Sequence, residues 1–294
     1  MSLCLRYKLF SEPEFSQHLS TNLVSRFFDR FNGNSECTCN STISFSNHDL
    51  SDSFVELFCN HLDPHLSCAV SLQFINCSLT SSSLTHISDA LSRPNTIQHL
   101  SIDCNSSVLN LTPISHLVSL PSCSLISLSL RCSSFEISSF SQFLLALRRN
   151  RSLQYLCLYG SNLTFCNDLS QMFRGPSTLK VVDFSNCKLN SISISSIISA
   201  FKPRVPDESD AVEVDMWSRV KKAKSGAAKK KNKDDPVDNP ELLSLYSPMT
   251  SEGLLGGNQS VERLVLIGND VSNEMKGELN SIIGNCCNLS RIDL

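Results

Sequence analysis

Apolar residues recur along the chain at four fixed offsets. In the stretch LQYLCLYGSNL, Leu153, Leu156, Leu158 and Leu163 stand at offsets 1, 4, 6 and 11. Offsets 4 and 6 share one face of a short strand, because side chains in a strand alternate with a period of two. The same offsets, started at Asn40, Ala69, Ile97, Leu125, Leu153, Leu179, Val261 and Leu289, are apolar everywhere except at Asn40 and Ser107. Four of the intervals between starts are 28 residues long. One strand per copy is predicted, and a stack of copies, since a single copy can bury only one face of itself.

Between the strands a second period appears, with apolar residues at i, i+3, i+4 and i+7, as a helix requires. Phe54, Leu57, Phe58 and Leu62 form the first such stripe, and Leu84, Ile87 and Leu91 the second. Phe140, Phe143, Leu144 and Leu147 form another, followed by Ile194, Ile197, Ile198 and Phe201, and by Met275, Leu279, Ile282 and Ile283. A helix is therefore expected in every copy, which goes with the long period.

The segments LISLSLRCSSF, LQYLCLYGSNL, LKVVDFSNCKL and VERLVLIGNDV resemble the long, helix-bearing leucine-rich repeats of the ribonuclease-inhibitor class. The resemblance covers roughly residues 40–201 and 261–294. It implies an α/β fold, a leucine-rich-repeat solenoid or horseshoe with short parallel strands on the concave face and helices on the convex face. It implies an intracellular setting, and offsets 2, 3, 5, 7 and 8 facing the concave, binding side. Those offsets hold Gln98, His99, Ser101 and Asp103; Ser127, Ser129 and Arg131; Gln154, Tyr155, Cys157 and Tyr159; and Lys180, Asp183 and Ser185. Tyr and Arg are enriched among interface hot spots, so Tyr155, Tyr159 and Arg131 are the leading contact candidates, with His99, Asp103, Lys180 and Asp183 beside them. Cys77 and Cys187 fall at offset 9, where the family carries Asn or Cys bonded to neighbouring backbone; Cys104 and Cys132 fall one place earlier.

The pattern divides the chain. Residues 1–39 read as an N-terminal cap or degenerate repeat, with Leu3 and Leu5 suited to a strand and Phe15, Leu19, Leu23, Phe27 and Phe31 to one helix. Residues 40–202 are repeats. Residues 203–260 break the pattern with five prolines and segregated charge, DESDAVEVD followed by RVKKAKSGAAKKKNK, and read as a charged insertion disordered for much of its length. Leu242, Leu243 and Leu245 could mark a degenerate strand within it. Residues 261–294 resume the repeat and stop inside the next strand, as a piece of a longer protein would.

Lys221, Lys222, Lys224, Lys229, Lys230, Lys231 and Lys233 admit three readings: a bipartite nuclear-import signal read by an importin, a dock for an acidic partner, or a solvated loop. Trp217 alone accompanies them, too little aromatic interleaving for specific nucleic-acid readout; it suits an anchor for a short amphipathic helix. A net charge of −3 with pI near 6.2 gives no global attraction to nucleic acid or membrane.

Fourteen cysteines would suggest a disulfide framework in a small secreted chain. The opening MSLCLRYKLFSEPEF carries charges where a signal peptide is apolar, so reduced thiols are expected, and the N-x-[ST] sequons, Asn150 and Asn258 among them, are read as repeat turns rather than glycosylation sites. Cys59, His61, His65 and Cys68 are proper zinc ligands in kind but match no standard spacing; an ordinary loop is expected, with no metal. His99, Asp103 and a nearby serine have only the offsets of exposed strand positions, and no phosphate-binding loop or H-E-x-x-H helix is present, so neither an enzyme nor a cofactor is expected.

The chain thus reads as an intracellular protein-interaction module or scaffold that binds a protein partner on its concave face. It would be cytoplasmic, or nuclear if the lysine run is an import signal. Alternatives are a regulator of a small GTPase acting through Arg131, and a centrosomal or ciliary scaffold, some of which combine such repeats with a charged, tryptophan-bearing insertion.

Overall fold

One strand, β1 (Arg6–Lys8), precedes the repeats, and the rest form at the repeated offsets: β2 (Ser41–Ser46), β3 (Ala69–Ile75), β4 (His99–Leu109), β5 (Ser127–Phe135), β6 (Tyr155–Cys157), β7 (Val181–Asp183), β8 (Arg263–Val265) and β9 (Arg291–Asp293). The computed structural model describes residues 6–8, 41–47, 49–60, 62, 69–167, 169–174, 177–206, 208–224, 254–285 and 288–294. All nine strands join one open sheet, in sequence order and parallel throughout. That order is compatible with a solenoid-like α/β fold in which each copy adds one strand to the last. The expected N-terminal helix, Leu3 and Leu5 lie outside the described residues.

Register aligns the apolar offsets across strands. Leu72, Leu100, Leu128, Leu156, Val182 and Leu264 stand side by side, all buried in one core with the helical residues. Their chain neighbours point to the opposite face and are at least partly exposed over β3 to β7.

The covering layer comprises α1 (Asp52–Asn60), α2 (Ser81–Ser92), α3 (Thr112–Ser119), α4 (Ile137–Arg149), a 3-10 turn (Ser170–Phe173), α5 (Ser191–Ala200) and α7 (Asn273–Asn285); α6 (Ala211–Lys224) belongs to the insertion. Successive members pack on one another in chain order. The sequence expectation of a helix in every copy fails in the copy begun at Leu153. That copy is 26 residues long, two short of the usual period, and a single tight turn takes the helix's place. Met172 and Phe173 of that turn still fill the core.

Polar side chains stitch one copy to the next. At offset 9, Cys77 donates to the Phe45 carbonyl at 3.3 Å, Ser161 to Leu130 at 3.1 Å, Cys187 to Leu158 at 2.9 Å and Asn269 to Phe184 at 2.8 Å. Every acceptor is offset 6 of the preceding copy. Just ahead of offset 1, the hydroxyls of Thr96, Ser124 and Thr178 donate to the carbonyls of Ala69, Ile97 and Leu153 at 2.6, 3.0 and 2.7 Å. These bonds satisfy carbonyls that would otherwise be left unpaired inside the protein, where an orphaned polar group costs about 1–3 kcal/mol. On the helix side, Thr80 and Ser83 of the α2 N-terminus donate to the Asp52 carboxylate of α1 at 2.6 and 2.5 Å. Those hydrogen bonds, Ser83 foremost, hold the Asp52 pKa below its usual value.

Asn150 and Asn258 close the turns before Leu153 and Val261. Asn150 donates to the Val118 carbonyl at 2.7 Å and accepts from the Leu153 amide at 2.6 Å. Asn258 donates to the Phe173 carbonyl and accepts from the Val261 amide, both at 3.0 Å. Each is 4% exposed, so neither presents its amide for glycosylation.

The insertion leaves and returns at one place. Arg204 and Leu255 exchange both backbone hydrogen bonds, at 2.8 and 2.9 Å, and β7 pairs directly with β8 across the gap. Whereas the charge pattern of residues 203–260 suggested extensive disorder, the described part of that segment forms a 3-10 turn (Glu208–Asp210) and α6. Residues 225–253, with Leu242, Leu243 and Leu245, lie outside the described residues.

Gly257 sits where the chain rejoins the repeats, and a Cβ there would fall 2.0 Å from the Phe201 carbonyl oxygen; at Gly277 of α7 a Cβ would meet nothing within 4 Å. Gly257→Ala is therefore expected to destabilise by about 1–3 kcal/mol through overpacking. Gly277→Ala should stabilise by roughly 0.5–1 kcal/mol, because alanine loses less backbone entropy in a helix. Thermal melts of the two variants check the contrast.

Candidate functional site

The face of the sheet turned away from the helices carries the side chains singled out by offset. Strand register sets them in rows. One row runs Ser71, His99, Ser127, Tyr155, Val181, Arg263, Arg291, and the next Gln73, Ser101, Ser129, Cys157, Asp183, Val265, Asp293.

Asp103 and Arg131 are register partners on β4 and β5, and their charges meet at 3.4 Å. Tyr159, just past β6, lies on the other side of Arg131, the guanidinium carbon 5.3 Å from the ring centroid. That distance suits a cation–π contact. Gly160 makes room for it: its φ is +72°, and an added Cβ would stand 3.3 Å from the Arg131 Nε. One local cluster thus unites three predicted residues. The guanidinium is still half exposed, and Tyr159 is 41% exposed.

Tyr155 stands on the same face, 44% exposed, but four residues from Tyr159, a separation of about 13 Å along an extended chain. Its register neighbours Ser127 and Val181 are smaller, so the ring rises above its surroundings. His99 is half-buried between the serines of the two flanking strands. Asp183 is turned back on its own strand end, accepting from the amide and hydroxyl of Ser185 at 2.8 and 2.6 Å, with the Cys157 sulfur 3.9 Å away. Burial pushes the Cys157 thiol pKa up, which leaves it protonated and a poor nucleophile. Lys180 is exposed and pairs with Glu262 at 3.5 Å.

A second charged cluster was missed from sequence. Arg263 and Arg291 are register partners, and both reach Asp293, at 2.6 Å each. Desolvation raises the Asp293 pKa, but the hydrogen bonds from the two arginines outweigh it and hold it below the usual carboxylate value. The signal was available, since Arg263 and Arg291 share offset 3 of the last two copies and Asp293 has offset 5.

In the insertion, Lys221, Lys222 and Lys224 fall in the last turn of α6. Lys229, Lys230, Lys231 and Lys233 lie outside the described residues. Trp217 is half-buried and Val220 buried. The approach to α6 is held by a buried ion cluster: Asp210, fully buried, accepts from Arg204 at 2.6 Å and from Arg148 of α4 at 3.1 Å.

Cys59 is buried in α1, and that burial pushes its thiol pKa up to about 12. His61, His65 and Cys68 lie outside the described residues. No group of His, Cys, Asp or Glu that could hold a metal ion occurs among the described residues, and no helix among them is long and apolar enough to cross a membrane. Comparison with protein-family models found no match, and comparison with curated proteins found none either.

Removing Asp210 would strand two arginines at a site built for their neutralisation, which is costly for a buried pair. Asp210→Ala is expected to raise hydrogen exchange in the α6 amides while the strands from β2 to β6 keep their protection. Exchange mass spectrometry checks it.

Proposed function

We propose that the chain is a leucine-rich-repeat protein of the long, helix-bearing type, curved as a horseshoe, and that it works as a protein-interaction module or scaffold. Its partner is a protein bound on the strand-lined concave face, with no chemistry of its own at the contact. The single observation that carries this reading is the exposed Tyr159 beside a guanidinium already fixed by Asp103 and by that ring, with the exposed Tyr155 further along the same face. Such a pre-positioned aromatic and arginine group loses little side-chain entropy on binding, which is what hot spots require.

Repeat period, strand order and the offset-9 bonds support the family assignment. The fixed setting of Arg131 suits a standing contact better than an arginine that swings into a nucleotide, so the scaffold reading is preferred to GTPase regulation. The lysine run is assigned to an importin or another acidic partner, giving a cytoplasmic protein with access to the nucleus.

The test is a pull-down from cell lysate with three baits: the intact chain, Tyr155→Ala/Tyr159→Ala, and a chain in which a Gly-Ser linker replaces residues 205–254. Partners that lose roughly 30-fold or more in affinity with the double substitution and persist on the deletion place recognition on the sheet face. Partners lost only on the deletion would move it to the insertion and overturn the reading.

A further inference from the structure

The stitch at offset 9 changes character in the middle of the sheet. β4 and β5 run on for 11 and 9 residues, and one offset earlier they carry Cys104 and Cys132 as register partners. Each is 1% exposed. Register partners on adjacent strands are about 4.8 Å apart, inside the roughly 4.4–6.8 Å that a disulfide spans between Cα atoms. Both thiols lie on the core side of the sheet. Among the described residues no other two cysteines are register partners; the thiols of Cys77 and Cys187 are spent on backbone carbonyls instead.

Burial would ordinarily make such thiols inert. Here the β4–β5 register breaks immediately beyond the pair, between Cys104 and Val108. An opening at that break would leave the five register pairs from His99 to Asp103 in place.

We propose that Cys104 and Cys132 are a peroxide-oxidisable thiol pair that closes to a disulfide between β4 and β5. The Cys104 thiolate attacks a peroxide oxygen and breaks the O–O bond, giving a sulfenic acid and releasing hydroxide. The Cys132 sulfur then attacks the Cys104 sulfur; the S–O bond breaks and water leaves with the Cys132 proton, while the hydroxide takes up the proton first lost by Cys104. Two thiols and one hydrogen peroxide become one disulfide and two waters, with two electrons passing from sulfur to peroxide. The surroundings favour this division of labour. The neighbouring Cys132 thiol lowers the Cys104 pKa, whereas Cys104 in turn, together with burial, pushes that of Cys132 up.

Asp103 and Arg131 immediately precede the two cysteines. Closure would thus cross-link the strand ends that hold the Arg131–Tyr159 cluster, a consequence for binding that rests on the contact reading above; formation of the bond does not.

The test treats the full chain with hydrogen peroxide, alkylates the remaining free thiols, and maps peptides by mass spectrometry after digestion with trypsin and chymotrypsin. The expected product is a peptide pair joined through Cys104 and Cys132, lighter by two hydrogens and reverted by dithiothreitol. It should persist in Cys157→Ser and vanish in Cys132→Ser, where dimedone labels Cys104 instead. Recovery of Cys104 and Cys132 as alkylated free thiols, at peroxide levels that fully oxidise free cysteine in a parallel sample, would overturn the proposal. That outcome is read on the unsubstituted chain, so it holds even if the variants fold poorly.

Discussion

The structure depends on one requirement of a parallel sheet: each strand must find its neighbour a full copy away in sequence, and the backbone between must not leave polar groups stranded in the core. The ladder itself covers only three residues per strand from β6 to β9. Beyond those, backbone bonds such as Gly160 to the Ser185 carbonyl and Asn186 to the Ile267 carbonyl carry the pairing on, and side chains complete it. Cys77, Ser161, Cys187 and Asn269 are of three chemical kinds, yet each puts one donor on the same carbonyl of the copy before. A thiol, a hydroxyl and an amide are interchangeable there because the acceptor needs a short donor at a fixed place, not a particular side chain. The apolar residues supply most of the burial energy, and these donors fix the spacing at which it is realised.

The same spacing creates the opposite face. Once Leu128 and Leu156 are held side by side in the core, Arg131 and the residues around it must fall in rows on the other side, because alternation permits nothing else. Asp103, Arg131 and Tyr159 come from three consecutive copies and meet through register alone. The insertion respects this arrangement. It departs at Arg204, returns at Leu255, and leaves β7 and β8 paired as if no residues intervened.

Strand positions, the core rows and the exposed rows were legible in the sequence because period two and the copy length are properties of the chain alone. Other features were not. The loss of the helix after Leu163 accompanies a two-residue shortening of that copy, which the apolar offsets alone do not register. The ordered start of the insertion rests on Asp210, which in sequence is one acid among several; its partner Arg148 is 62 residues away. Asn150 and Asn258 look like sequons locally and reveal their role only when Val118 and Phe173 supply acceptors from an earlier copy. Tyr155 and Tyr159 were read as one patch, and the structure separates them, since only Tyr159 lies against Arg131.

The central claim, a single stack running uninterrupted through the insertion, is tested most directly at the β7–β8 junction. There the Arg263 amide donates to the Lys180 carbonyl at 3.0 Å, across 83 residues of chain. Through-hydrogen-bond scalar coupling between the Arg263 nitrogen and the Lys180 carbonyl carbon, measured by NMR on the labelled full chain, should be observed. A protected Arg263 amide coupled to a different carbonyl would contradict the account, because it would place the last two copies somewhere other than on the edge of β7.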